Sequence, residues 1–216
     1  NMNAIQNLCT KVILLNQGQM QTMSPDVGGT INTYIYGDRS AAQTSLWQNP
    51  GFLYQHPAFT PAEIFLGDEK GKPLILPISN SEDIWVYVRG DIRELNPDLQ
   101  ISYSLHTENN TTVYWTVSTD TRKETWPKLE SGTIVLRSRI PAHTLNEGKY
   151  RLELMVSLYF KKWLIHPGEQ NPPHITFTIR GGLSESCYWT KKRPGILAPI
   201  IPWERVNHSK DNATPS

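Results

Sequence analysis

From about Thr60 onward, apolar residues recur at every second position, in short runs separated by turn signals. The clearest runs are EDIWVYVRG, LQISYSLHT, TVYWTVST, KYRLELMVSLYFKKWLI and HITFTIRG, with NPD, ENNT, NEGK and GEQNPP between them. A period of two is typical of half-buried strands, and about eight such runs with little helix indicate an all-β domain. We therefore predict that 60–206 forms an antiparallel β-sandwich of the immunoglobulin-like or jelly-roll kind.

The segments on either side of this domain have a different character. Residues 1–36 predict a short helix, a hairpin turning at Asn16-Gln17-Gly18 and a second helix, a set too short to bury a core of its own. Polar and small residues without a sustained period predict a linker over 37–59. The polar stretch 207–216 is expected to be a disordered tail.

Charge and cysteine content exclude several classes of protein. The 21 basic and 20 acidic residues leave a formal net charge of +1, which argues against nucleic acid as a partner because phosphate contacts need a clustered positive excess. The two cysteines, Cys9 and Cys187, form no C-x-x-C pair, and no His, Cys or carboxylate set has metal-ligand spacing, so no metal site is predicted. So few cysteines favour a reducing compartment.

The first 36 residues resemble part of a known family. Ala4-Ile5-Gln6-Asn7-Leu8-Cys9 and Ile13-Leu14-Leu15-Asn16-Gln17-Gly18-Gln19 are similar to the helix and hairpin that follow the switch histidine of ABC-transporter ATPases. SPDVGGTINTYIYG resembles the terminal helix of that ATPase domain, and the tail Arg193–Trp203 resembles the end of the C-terminal domain in O-antigen and related polysaccharide exporters. The start at Asn1-Met2 is then expected to be a boundary just past the switch histidine.

The resemblance implies a role in polysaccharide export. In that subfamily a C-terminal β-sandwich binds the exported glycan, so 60–206 is expected to be a carbohydrate-binding domain, cytoplasmic and at the inner face of the cell membrane. The implied partners are a lipid-linked polysaccharide, a second copy of the subunit and a transmembrane permease. No G-x-x-x-x-G-K-[ST] loop, Walker B acid or switch histidine occurs, so this chain is not expected to be an enzyme or to hold the ATP and Mg²⁺ of its parent.

Candidate glycan contacts occupy the non-core positions of two predicted strands. Sugar C–H faces stack on Trp or Tyr, and sugar hydroxyls pair with planar polar groups. The residues at the non-core positions of the two strands are Trp85, Tyr87, Arg89, Glu153, Ser157 and Tyr159. If the two strands share a sheet, these side chains line one concave face. Alternatively, Trp85 and Tyr87 belong to the core and the Ile/Val set of the same strand faces the linker.

A second candidate cluster flanks the ENNT turn. His106 and Tyr114 lie on either side of it and form a possible polar-aromatic contact for a sugar. The alternative for His106 is an ordinary solvated histidine beside a turn.

Two other functions stay open at this point. In the first, the sandwich serves only to dimerise the ATPase or to dock it on the permease, with an edge strand or the aromatic tail exchanged between protomers. In the second, the chain is a secreted lectin-like module. Such a module would use the sequons at Asn109, Asn110, Asn207 and Asn212.

Overall fold

The computed structural model describes residues 5, 8–16, 18–27, 30–31, 34, 45–169, 171–182, 184–188 and 192–205. It contains eleven strands within these ranges: β1 Val12–Asn16, β2 Gln19–Ser24, β3 Leu46–Gln48, β4 Thr60–Gly67, β5 Ile84–Ile92, β6 Leu99–Thr107, β7 Thr112–Val117, β8 Gly132–Ile140, β9 Gly148–Leu158, β10 Lys162–Ile165 and β11 His174–Ile179. One short 3₁₀ turn, Lys123–Thr125, lies between β7 and β8.

Nine of these strands form two antiparallel sheets. The four-stranded sheet has the order β3-β4-β5-β8, and the five-stranded sheet has the order β10-β9-β6-β7 with β11 also paired to β9. The pairings within both sheets are antiparallel. The predicted antiparallel β-sandwich is therefore confirmed.

The hydrophobic core lies between the two sheets and follows the period of two. On β5 the inward residues are Ile84, Val86 and Val88, and on β9 they begin with Tyr150 and Leu152. Side chains at the intervening positions of both strands point away from this core. Since a one-residue slip would move every apolar side chain to the outside, the alternation determines the register of both strands.

The segments outside the sandwich differ in part from expectation. The predicted hairpin is present as β1 paired with β2, with Gly18 at φ 80° in the turn. The helices predicted around it fall mostly outside the described residues, as does the tail 207–216. The stretch 46–48, which the sequence places in the linker, instead forms the edge strand β3, because Trp47 packs against the core beside β4.

Candidate functional site

The outward side of the five-stranded sheet carries a group of polar residues on its central strands. Two cross-strand rows define it: Ser104 of β6, Glu153 of β9 and His174 of β11 form one, and His106, Arg151 and Thr176 form the next. We call these six residues the polar face. Their sequence neighbours Leu105, Leu152 and Ile175 are core residues, so strand alternation alone turns the polar set outward.

The polar face is recessed at its centre. Arg151 is only 6% exposed and Glu153 only 8%, although both point away from the core. Burial of this degree on an outward side means that surrounding side chains rise above them. Arg151 and Glu153 therefore form a floor that lies beneath the neighbouring side chains on this side of the sheet.

An ion pair occupies this floor. Arg151 donates through Nε to Glu153 Oε1 at 2.6 Å. Removing charges from water is costly, and a buried pair is tolerated because each charge compensates the other. The paired floor therefore has no net charge but presents oriented donors and acceptors, the property that a site for hydroxyl groups requires.

His106 extends the network towards the edge of the sheet. Its Nε2 lies 2.8 Å from Ser104 Oγ, its Nδ1 lies 3.2 Å from Thr112 Oγ1, and Nε2 is 3.9 Å from Glu153 Oε2. Burial lowers the pKa of His106 below its usual 6.5; the Glu153 carboxylate opposes this shift, and Arg151 adds to it. The imidazole is accordingly neutral at pH 7.

His174 lies on the other side of Glu153. Its Nδ1 is 2.8 Å from the carbonyl oxygen of Pro172, and a carbonyl only accepts, so the proton of the neutral ring is on Nδ1. Burial is the largest cause lowering the pKa of His174, and the charge of Arg151 acts in the same direction. Two neutral imidazoles therefore flank the buried ion pair.

Two tryptophans stand on opposite sides of the polar face. Trp115 of β7 pairs with Ser104 and is 52% exposed, whereas Trp163 of β10 pairs with Ser157 and is 42% exposed. The Trp163 ring also meets His166 edge to face, with ring centroids 5.5 Å apart. Large aromatic faces beside a polar floor provide the mixed apolar and polar contact that a sugar ring needs.

The structure divides the predicted contact residues between the two sheets. Trp85, Tyr87 and Arg89 belong to β5 in the four-stranded sheet, whereas Glu153 and Ser157 belong to β9 in the other. The single concave face suggested for all of them does not exist, because β5 pairs with β4 and β8 and not with β9.

On β5 the aromatic residues have structural partners on the outside of the four-stranded sheet. Tyr87 stacks on Phe65 with ring centroids 4.8 Å apart and donates its hydroxyl to the Asp68 carbonyl at 2.8 Å. The Arg137 guanidinium lies 4.3 Å from the centroid of the Trp85 ring. The alternative in which these aromatics occupy the inter-sheet core is wrong, since the Ile/Val set of β5 fills it.

The predicted pair of His106 and Tyr114 is also separated. His106 points outward, whereas Tyr114 meets the core residue Tyr103 edge to face, with ring centroids 6.2 Å apart. Tyr114 pairs with the core residue Leu105, whose neighbour His106 is turned to the other side of the sheet, and burial raises the pKa of Tyr114. Tyr159 follows the end of β9, and its ring packs on Phe160 with ring centroids 4.4 Å apart.

The structure therefore brings together His106, Glu153 and Ser157 from the predicted set and adds residues that the sequence reasoning missed. Those additions are Ser104, Trp115, Arg151, Trp163, His174 and Thr176. The sequence could have identified Arg151, because it lies two residues before Glu153 on the same strand and alternation therefore turns both side chains outward. The alternation of TVYWTVST sets Trp115 with Val113 and Val117 against Tyr114 and Thr116, but it does not say which of the two sides faces the core.

Acidification is expected to destabilise the domain through the two imidazoles of this site. Their pKa values are lowered in the folded state, so the unfolded chain binds protons first as the pH falls through about 6.5, and stability decreases below that pH. His56, whose pKa is also lowered, contributes in the same direction. Urea unfolding between pH 7.5 and 5 measures this slope.

The variant His106→Gln tests the assignment, because it keeps hydrogen-bonding capacity without a titrating ring. We expect a shallower dependence of stability on pH than in the wild type. As a control, Thr176→Ser changes the same polar face without removing a titrating ring and should leave the slope unchanged. Equal slopes for wild type and His106→Gln would contradict the prediction.

Comparison with known proteins supports the fold. The chain resembles the crystal structure of the C-terminal domain of Wzt with a TM-score of 0.51 and 11% sequence identity, over 81% of this chain and 96% of that chain. No protein-family profile and no curated protein sequence matches the chain. The likeness is thus one of architecture, a Wzt-like β-sandwich.

The described ranges contain no helix with the length and hydropathy of a membrane span.

Proposed function

We propose that the polar face binds a glycan, with Trp115 and Trp163 as stacking platforms and the residues around the Arg151–Glu153 pair as hydrogen-bonding partners. The observation that carries the proposal is a buried, internally neutralised polar network between two half-exposed tryptophans. A core-packing role does not account for this combination, because the side of the sheet that holds it faces away from the core.

The chemistry of the site suits an uncharged or mildly charged sugar. The Arg151 charge is already paired with Glu153, so a carboxylate or phosphate of the ligand would compete with a 2.6 Å internal contact. Neutral imidazole and serine groups both donate and accept, as sugar hydroxyls do. Binding at this face involves no bond making or breaking, and the chain acts as a recognition domain without a cofactor of its own.

The biological setting is inferred from two separate observations. The first 36 residues resemble the end of an ABC ATPase domain, and the sandwich resembles the C-terminal domain of Wzt in fold. We infer that the chain is the cytoplasmic C-terminal part of the ATP-binding subunit of a polysaccharide exporter. Its partners would be the lipid-linked polysaccharide, a second copy of the subunit and the membrane permease.

The direct test is calorimetric titration with delipidated polysaccharide from the organism that carries the chain. Trp115→Ala and Trp163→Ala are each expected to weaken binding by about 10-fold or more, because stacking and buried apolar contact are lost together. Trp203→Ala is a matched control, since Trp203 is 95% exposed in the tail. Circular dichroism checks the fold of each variant.

The glycan proposal fails if the wild type shows no binding at millimolar polysaccharide. It also fails if both tryptophan variants bind as tightly as the Trp203→Ala control.

A second candidate function, dimerisation or docking, is favoured by the tail. Residues 192–198 pack on the chain itself through the Leu145–Leu197 bridge and two bonds from Asn146 Nδ2 to carbonyl oxygens at 193 and 195. Beyond them Ile200, Ile201 and Trp203 are exposed, a concentration of apolar surface that often marks a contact with another protein. Light scattering distinguishes this function, since Ile201→Ser with Trp203→Ser would lower the mass to that of a monomer while glycan binding persists.

A further inference from the structure

A cavity of about 510 Å³ opens between the two sheets, at a distance in the fold from the polar face. It lies where β7 and β8 form the edges of their sheets, and residues 118–127 of the connection between these strands contribute to its wall. Its volume falls within the range of about 300–1,000 Å³ that is usual for small-molecule sites. For comparison, an apolar cavity of about 150 Å³ is large enough for benzene.

The inner wall of the cavity is aliphatic. Val86 and Val88 reach it from β5, Ile101 from β6 and Leu136 from β8. The first three are at most 6% exposed and belong to the hydrophobic core. The cavity therefore extends from the open edge of the sandwich into the core, where it offers apolar contact to whatever enters.

The hydroxyl groups in the wall all have partners within the protein. Tyr103 bonds Ser138 at 2.8 Å, and Thr125 donates to Thr121 Oγ1 at the same distance. The remaining three are Ser102, which donates to the Met155 carbonyl; Thr116, which donates to Asp120; and Ser118, which accepts from the Ile101 amide.

The two charged residues of the wall are engaged as well. Asp120 also accepts the Val117 amide at 2.7 Å, and Arg137 donates to the Glu69 carbonyl while its guanidinium lies over the Trp85 ring. A polar ligand would lose its hydration on entering the cavity, and the polar groups of the wall already have hydrogen-bonding partners within the protein. Its desolvation would therefore be poorly compensated. An apolar ligand meets neither cost.

We propose that this cavity is a second binding site, separate from the polar face, and that its ligand is an uncharged aliphatic molecule such as an alkyl chain. Burial of apolar surface supplies the affinity. The ligand enters at the open edge between β7 and β8, beneath residues 118–127. The site uses none of the residues of the polar face, so it stands whether or not that face binds a glycan.

The test is a titration of the full chain, ¹³C-labelled at methyl groups, with 1-decanol by NMR. We expect saturable shifts confined to methyls that line the cavity, Val88, Ile101 and Leu136 among them. Decanoate is expected to bind at least about 10-fold more weakly, because burying its carboxylate is costly and the Arg137 guanidinium lies over Trp85, on the outer side of the four-stranded sheet. Shifts that do not saturate, or that centre on other methyls, would overturn the proposal.

Filling the cavity provides the second arm of the test. Val88→Phe and Leu136→Phe are each expected to abolish decanol binding while the melting temperature holds or rises, since the added ring occupies empty space. Ile175→Phe is the matched control: Ile175 is fully buried and does not line the cavity, so overpacking lowers its melting temperature. Unchanged decanol affinity in a folded Val88→Phe or Leu136→Phe variant contradicts the proposal. If neither variant folds, the titration of the wild type with decanol and decanoate is the test of the proposal.

Discussion

Arg151→Ala is expected to lower the free energy of unfolding by about 3–5 kcal/mol and to abolish glycan binding. The Arg151 and Glu153 side chains are only 7% and 11% exposed, so the substitution leaves the Glu153 carboxylate buried without the cation that compensates it. Urea unfolding at pH 7 measures the stability change, and titration with the polysaccharide measures binding.

A double variant separates the two effects. Replacing both members of a buried ion pair with apolar residues of similar volume is often neutral for stability, because no charge remains to be desolvated. Arg151→Met with Glu153→Leu should therefore unfold within about 1 kcal/mol of the wild type and still fail to bind glycan. If this stable variant binds normally, the ion pair is structural only, and the proposed role of the floor is wrong.

The pattern of alternation was sufficient to predict which side of each long strand faces the core. On β5 and β9 every inward residue expected from the period of two is in the core, and the outward placement of Glu153 and Ser157 followed from the same rule. This works because the side-chain period of a strand is a local property of the backbone. The all-β class was predictable for the same reason.

The choice of neighbouring strands was not predictable in this way. Trp85 and Glu153 were placed on one possible face, yet their strands belong to different sheets. Pairing is decided by contacts between residues far apart in sequence, such as His106 with Arg151, and no local pattern records it. The sequence therefore predicts which residues of each strand face outward. It does not predict which strands are neighbours, and so it does not predict which outward residues form one site.

The side of the sheet on which Trp115 lies was not predictable from its own run. The period of two groups Val113, Trp115 and Val117 against Tyr114 and Thr116, and both sets contain an aromatic residue. In the structure the register shifts between Leu105 and His106, so that Leu105 pairs with Tyr114 but His106 pairs with Thr112. Such a shift places two residues opposite one and changes the side on which the following residues fall. A regular period of two cannot anticipate it.

Gly90→Ala is expected to destabilise the domain by about 3 kcal/mol, the upper end of the usual cost of overpacking. Gly90 lies within β5, opposite Pro61 on β4 and Ile134 on β8. A Cβ atom there would come within 2.5 Å of the Phe59 ring and 2.7 Å of the Thr60 carbonyl oxygen. Phe59 is only 1% exposed, so its ring has no free space into which to move.

This prediction gives a physical reason for a glycine in a strand interior. The run EDIWVYVRG ends at Gly90 in sequence, but β5 continues to Ile92, because the missing side chain lets Phe59 cross close above the backbone. A glycine inside a strand often marks such an approach of one segment to another. Thermal and urea unfolding of Gly90→Ala should both show the loss, with the strand content of the remaining folded fraction unchanged.

Gly148→Ala is the matched control, since the nearest atom to a Cβ at that position lies 3.8 Å away, at ordinary van der Waals distance. Its stability should stay within about 0.5 kcal/mol of the wild type. The double variant Phe59→Leu with Gly90→Ala should lose less stability than the sum of its two single variants, because the smaller side chain relieves the clash. Additive losses would mean that the Phe59 ring is not what excludes a side chain at Gly90, and that the Thr60 carbonyl oxygen alone sets the limit.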